Sequence, residues 1–259
     1  GGGKNSSTGK RADAAGQCFT CGVDSFHTLV NNLNTVSHLI FVCGYDIPLH
    51  LEKRMQATHF ALKEIAEYYN KKLIVVRTNL REHSIFKGVN WEHAHGGALA
   101  AVGHLLSDNI GQIIIPSTYM HLEQKAWGST AETDPLWSSD RLQIKHFGAA
   151  LIRPQKIKSI VNEPLAKKHL RVCWEMRNSW VNCSECEKCI RTMLGISLCA
   201  PVQDFVQFDH SQPLEKRIDS LPFITRHTYP YYRDFLESGL DEKYKEAIKR
   251  LIQRSQIAA

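Results

Sequence analysis

The sequence predicts an α/β fold, a Rossmann-like parallel sheet covered by helices on both faces, followed by a cysteine-bearing C-terminal segment. Three observations lead there. Short apolar runs, Leu39 to Val42, Leu73 to Val76 and Ile113 to Ile115, alternate with longer stretches of helical periodicity, and strands without polar alternation belong to sheets buried on both sides. The 259 residues, 43% of them hydrophobic, suit one large domain or one domain with a small appendage. Three of the eight cysteines, Cys183, Cys186 and Cys189, fall within seven residues, and in a cytosolic enzyme such clustering marks metal or catalysis rather than disulfides.

Taken in order, residues 1–16 are rich in Gly, Ser, Lys and Ala and are expected to form a flexible tail. Gly3 to Lys10 approaches a Walker A loop, but its spacing is one residue too long and Arg11 stands where Ser or Thr is required, so no P-loop is expected. From Gln17 onward a first strand hands over to a first helix. Leu39 to Val42 is the next strand; Lys53 to Asn70 is a helix with Ala57, Ala61, Ile65 and Tyr68 on one face. Leu73 to Val76 is a strand, Gly97 to Leu106 a helix, and Ile113 to Ile115 a strand that Pro116 stops. The ligand site of such a sheet lies at the carboxyl ends of its strands. The polar segment Trp127 to Asp140 is too long for a simple connection and is a candidate binding loop. Leu170 to Trp174 is expected as a last short strand, and Tyr231 to Arg254 as one or two surface helices charged on most faces.

The formal charge of +6 resides in the two ends. Residues 1–11 carry three bases and no acid, and residues 241–254 carry five bases against three acids, which leaves only +1 for the rest. No basic body is present to grip a phosphate backbone, so a nucleic-acid partner is not expected. No apolar run approaches the roughly 18 residues that cross a bilayer, and Gly1 to Arg11 has no hydrophobic stretch like that of a signal peptide. The expected location is the cytoplasm, with no membrane partner.

The run Cys18-Phe19-Thr20-Cys21-Gly22-Val23-Asp24-Ser25 sits where the first strand meets the first helix. Gly22 allows close backbone approach to an anion, the helix N-terminus offers N–H groups and a positive dipole, and the hydroxyls of Thr20 and Ser25 add donors. An ordinary strand-to-helix turn with an Asp/Ser cap fits the same residues. Thr20 to Ser25 resembles the SGGxDS pyrophosphate loop of the PP-loop ATP pyrophosphatase superfamily, with Cys21 where that pattern has glycine. The resemblance implies that Thr20, Cys21, Gly22, Asp24 and Ser25 hold the phosphates of ATP, with Asp24 and Ser25 also serving Mg2+.

Cys183, Cys186 and Cys189, with Cys173 nine intervening residues upstream, supply four thiolates, the number and type of a closed tetrahedral Zn2+ site. An iron–sulfur cluster and unligated thiols are the alternatives. Cys18 and Cys21 form a second C-x-x-C, read as one strand and one loop cysteine or as a redox or sulfur-transfer pair. Cys43 and Cys199 lie in apolar settings and are expected in the core. His93 and His95 lack a nearby third ligand and are expected at a helix entry rather than on a metal.

A PP-loop early and Cys-x9-Cys-x2-Cys-x2-Cys late is a layout similar to that of the 7-cyano-7-deazaguanine synthase family, over most of residues 17–200. Asp134-Pro135-Leu136, then Arg153 with Lys156, then the cysteines and Arg191, follow the family order. The segments around Trp127 to Ser139 and His93 to Gly97 depart from it. The resemblance implies a PP-loop domain over 17–160 and a zinc-binding, helical segment over 161–259. It also implies an ATP-dependent ligase that adenylates a purine-like carboxylate such as 7-carboxy-7-deazaguanine and forms an amide or nitrile, with ATP, Mg2+ and Zn2+ as cofactors.

Under that resemblance Lys156 or Arg153 is the catalytic cation and His95 lines the nucleotide site. Trp127 and Trp137 stack a heteroaromatic substrate whose donors Asp134 reads. A homo-oligomer is expected. Two alternatives stay open: a ligase that joins a deazapurine to a partner protein, as in defence operons, and a sulfur transferase acting on tRNA through Cys18 and Cys21.

Overall fold

The computed structural model describes residues 11–120, 126–178 and 181–256. Most of the expected tail, including the string Gly3 to Lys10, lies outside the described residues. Two compact units divide the chain: residues 1–20 with 24–152, and residues 21–23 with 153–259.

The first unit is built on five strands: β1 (Ala15–Cys18), β2 (His38–Cys43), β3 (Lys72–Arg77), β4 (Gln112–Pro116) and β5 (Gln143–Phe147). All pairings are parallel and the order is β3-β2-β1-β4-β5, a Rossmann-like α/β sheet as the apolar runs require. β1 begins at Ala15, inside the stretch expected as tail, because Ala15 to Cys18 pair with both β2 and β4. Three helices connect the strands: α1 (Val23–Asn31), α2 (Glu52–Tyr68) and α3 (Trp91–Leu105).

Three sequence expectations change in this unit. The buried face of α2 comprises Met55, Thr58, Ala61, Leu62, Ile65 and Ala66; of the expected face Ala61 and Ile65 are buried, whereas Ala57 and Tyr68 are exposed. The helix expected at Gly97 begins at Trp91, where Asn90 Oδ1 caps it by accepting from the Glu92 N–H at 2.9 Å. Gly96 and Gly97 therefore lie inside the helix. Gly96 serves close packing there: a Cβ on it would stand 1.8 Å from the Gly128 carbonyl oxygen. The third change is β5, which sequence periodicity passed over because Gln143, Lys145 and His146 break the apolar run. Its Ile144, with Leu142 just before the strand, joins Ile113, Ile115, Ala98 and Val102 in the core between the sheet and α3.

The second unit contains α4 (Arg153–Ile160), α5 (Pro164–His169), α6 (Glu187–Ser197), α7 (Leu214–Ser220), α8 (Tyr229–Leu236) and α9 (Glu242–Arg254). Its main stretch runs from Arg153 onward, and within it α4 packs on α6. Gly195 lets Ile157 approach so closely that a Cβ would meet its Cδ1 at 2.6 Å. Leu170 to Trp174 does not form the expected strand. Its backbone is satisfied instead by Asn182, whose Oδ1 accepts from the N–H groups of Val172 (2.7 Å) and Cys173 (3.2 Å), so no neighbouring strand is needed.

Two helices stand where Tyr231 to Arg254 predicted them, each with one buried face. α9 buries Ala247, Ile248 and Leu251 and packs on α7, while Arg250 pairs with Asp219 at 2.8 Å. Cys43 is buried as expected, but Cys199 is exposed. Among the described residues no helix is long and apolar enough to cross a membrane.

Candidate functional site

The strand order reverses between β1 and β4, since the chain goes from β1 outward to β2 and β3 and then returns to β4 and β5. In open parallel sheets ligands bind outside the carboxyl ends at this switch point. The loop at Thr20 to Ser25 follows β1 there and runs directly into α1. Inside the loop the Thr20 N–H donates to Ser25 Oγ (3.4 Å), Gln17 Nε2 donates to the Ser25 carbonyl (2.8 Å), and Thr28 Oγ1 donates to the Asp24 carbonyl (2.9 Å).

Cys21 has φ +60°, the left-handed region that glycine enters freely and other residues enter at about 1–2 kcal/mol. The position at which the resemblance calls for glycine is thus glycine-like in its backbone. The Cys21 carbonyl accepts from the Arg171 N–H at 2.8 Å. Burial pushes the Cys18 thiol up to about 12, with the charges of Asp134 and Asp46 adding to it. It pushes Cys21 up to about 12 as well, against the opposing pull of Arg171. Both are protonated at neutral pH and shielded, the opposite of what a sulfur-transfer nucleophile needs.

The segment after β4 brings further groups to the carboxyl ends. A short 3-10 helix, Asp134–Trp137, places the Asp134 side chain in full burial. Asp134 Oδ2 accepts from Ser129 Oγ and from His146 Nδ1, each at 2.7 Å. Its Oδ1 is buried with no hydrogen-bond partner among the described residues. Of the carboxylate expected to read a substrate, only one oxygen is therefore left to do so. His146, next to last in β5, and Ser129 did not stand out in the sequence; a buried acid followed twelve residues later by a histidine carries no local signal.

The structure places Trp127 in a ring cluster. Its indole meets His95 edge-on at 5.0 Å and Tyr119 at 5.0 Å, and beyond His95 lie Trp91 (6.3 Å) and Tyr45. Trp127 Nε1 is buried without a partner among the described residues. Trp137 lies elsewhere: half-exposed, its ring covers Gly97 of α3, and its carbonyl receives His104 Nε2 at 2.8 Å.

His95 Nδ1 lies 3.2 Å from the Trp91 carbonyl and 3.1 Å from that of Glu92, so Nδ1 carries the proton and Nε2 the lone pair. Burial lowers its pKa, opposed by those bonds, which keeps the ring neutral. His93 is exposed and, among the described residues, forms no ligand set with His95. Lys156 and Arg153 lie on α4 of the second unit; Lys156 is 1% exposed, so it is not a surface cation.

The second unit holds the cysteines. The sulfurs of Cys173, Cys183, Cys186 and Cys189 all lie within 4.8 Å of one another and all four residues are buried. The pairs Cys173–Cys186 and Cys183–Cys189 stand at 4.0 Å, near the edge of about 3.8 Å of a tetrahedron with 2.3 Å metal–sulfur bonds. Left-handed backbone at Met176 and Ser184 shapes the two turns. The N–H groups of Met176 and Cys186 each point at a sulfur, of Cys173 and Cys183 respectively, at 3.3 Å and would stabilise thiolate charge.

Without a cation the four cannot ionise together. Hydrogen bonds from the other three pull Cys173 down, while those with Cys173 and Cys183 push Cys186 and Cys189 up. The donor set fits one ion such as zinc bound by all four sulfurs; a multi-iron cluster, with one cysteine per iron, would hold them farther apart. Arg217 buttresses the turn, donating to the Asp209 carboxylate (2.7 Å) and to the Ser184 carbonyl (3.4 Å). No protein-family model matches the chain, and no curated protein and no solved structure matches it.

Proposed function

We propose that the protein is a PP-loop ligase that adenylates a carboxylate with ATP and passes the acyl group to an amine or ammonia, 7-carboxy-7-deazaguanine being the candidate acid. The observation that carries it is the loop at Thr20 to Ser25. It leaves β1 at the switch point, enters a helix N-terminus, and has a left-handed backbone at Cys21 where the PP-loop pattern has glycine. The carboxylate attacks the α-phosphorus, and pyrophosphate leaves toward the loop, where helix N–H groups and the hydroxyls of Thr20 and Ser25 favour its charge. Mg2+, when bound, would offset the charge that accumulates on the leaving group; by the PP-loop resemblance Asp24 and Ser25 would hold it.

The ring cluster of Trp127, His95 and Tyr119 offers a planar acid an aromatic wall, with Trp127 Nε1 as a donor and Asp134 Oδ1 as an acceptor. Zinc on the four cysteines has a structural role, since its coordination is closed. The high thiol pKa values at Cys18 and Cys21 disfavour the sulfur-transfer alternative.

The test is exchange of labelled pyrophosphate into ATP in the presence of 7-carboxy-7-deazaguanine. Carboxylate-dependent exchange is expected, falling about 100-fold in Asp24→Asn. Exchange that stays at background with this acid and with a panel of other aromatic carboxylates refutes adenylation.

A further inference from the structure

His146 is joined to one carboxylate oxygen at 2.7 Å through Nδ1, its side chain only 3% exposed. Ser129 Oγ donates to the same oxygen, so Asp134 Oδ2 is fixed from two sides. Nδ1 must carry a proton to reach a carboxylate, which leaves the lone pair on Nε2. No partner for Nε2 is found among the described residues. A carboxylate that orients an imidazole and stabilises its cation is the arrangement that makes histidine an effective base.

The position suits the chemistry. His146 precedes the last residue of β5 and pairs in register with Ile115 of β4, the strand on the far side of the switch point from β1. Its ring lies on the same face of β5 as Ile144, toward α3. The Asp134 charge is felt at Cys18, the last residue of β1, and at His95 of α3. The pair thus stands among the carboxyl-end groups of the first unit.

We propose that His146, oriented by Asp134, is the general base of the acyl-transfer half of the reaction. This rests on the adenylation proposed above. The lone pair of ammonia or a primary amine forms the new C–N bond at the acyl carbon, and His146 Nε2 takes one N–H proton from the attacking nitrogen. The C–O bond to AMP then breaks, its electron pair staying on the phosphate oxygen. Acyl adenylate and amine become amide, AMP and one proton, which the imidazolium returns to solvent. A base shielded from bulk water also limits hydrolysis of the activated acid. Asp134 is the positioning residue in this scheme.

The experiment measures two rates on the same preparation of full-length protein: carboxylate-dependent pyrophosphate exchange, and amide formation with ammonia. In His146→Ala the ratio of amide formation to exchange is expected to fall about 100-fold or more, and added imidazole is expected to restore part of it. A ratio equal to that of the unsubstituted protein, or a loss without imidazole rescue, overturns the role of His146 while leaving adenylation standing. Absence of exchange in the unsubstituted protein overturns adenylation itself. A readout independent of activity is the nitrogen spectrum of His146. The Nδ1–H tautomer is expected in the unsubstituted protein and a mixture of tautomers in Asp134→Ala; an Nε2–H tautomer in the unsubstituted protein refutes the proposal.

Discussion

At the scale of single residues, burial separates cysteines that look alike in the sequence. Cys18 and Cys21 are buried with their thiols pushed up to about 12, whereas Cys199 is exposed. Alkylation of the native protein at mildly basic pH is therefore expected to label Cys199 well before Cys18 or Cys21, as peptide mass spectrometry will show; early labelling of Cys18 would contradict its burial. Asp209 gives a pH signature. The Ser211 N–H and the Arg217 guanidinium hold its carboxyl at about 2, below the ordinary 3.8. A depressed folded-state pKa adds stability above the unfolded value, and that stability is lost as pH falls from about 4 toward 2. Asp209→Asn should cost about 1 kcal/mol or less at neutral pH, because solvent screens the pair, with the difference from the unsubstituted protein closing over that acid window in denaturant titrations. Gly96→Ala places a Cβ 1.8 Å from the Gly128 carbonyl; overpacking of about 1–3 kcal/mol should appear as a lowered unfolding midpoint.

At the scale of elements, α6 begins within the four-cysteine cluster that could hold a metal ion. Cys186 is its N-cap residue, without a side-chain capping bond, and Cys189 lies in its first turn. Ion binding at the four sulfurs and formation of that helix end are thus coupled. Elemental analysis should find one zinc per chain. Its removal by a strong chelator should loosen residues 173–189 first, read as faster amide exchange there while β1 to β5 keep their protection; unchanged exchange would refute a structural metal.

Elements also mark where sequence patterns serve and fail. Strands β2, β3 and β4 were legible because each is an uninterrupted apolar run. β5 was not, since Lys145 and His146 interrupt it, and His146 has a tertiary partner, Asp134, rather than a local one. Leu170 to Trp174 looked like a strand from its apolar residues, but the Asn182 side chain takes its backbone bonds. The start of α3 was placed at Gly97 because the glycine pair interrupts the apolar pattern, whereas Gly96 is demanded inside the helix by a neighbouring loop.

At the scale of the whole molecule, the charge of +6 describes the two ends of the chain. Removal of residues 1–11 should abolish most of any low-salt affinity for duplex DNA, and no binding should survive at about 150 mM salt; a retained steep salt dependence would reveal a basic surface elsewhere. The α/β fold class, the clustering of four cysteines and the turn after the first strand are legible in the sequence alone, because apolar runs, C-x2-C spacing and a glycine-bearing turn act through neighbours in the chain. Only the tertiary structure decided the partners of Asp134. Ser129 and His146 reach its carboxylate from a loop and from β5, and burial makes that hydrogen bonding obligatory for the charge. Which residues meet in that buried place depends on how strands are ordered in the sheet, and strand order is written in no local pattern.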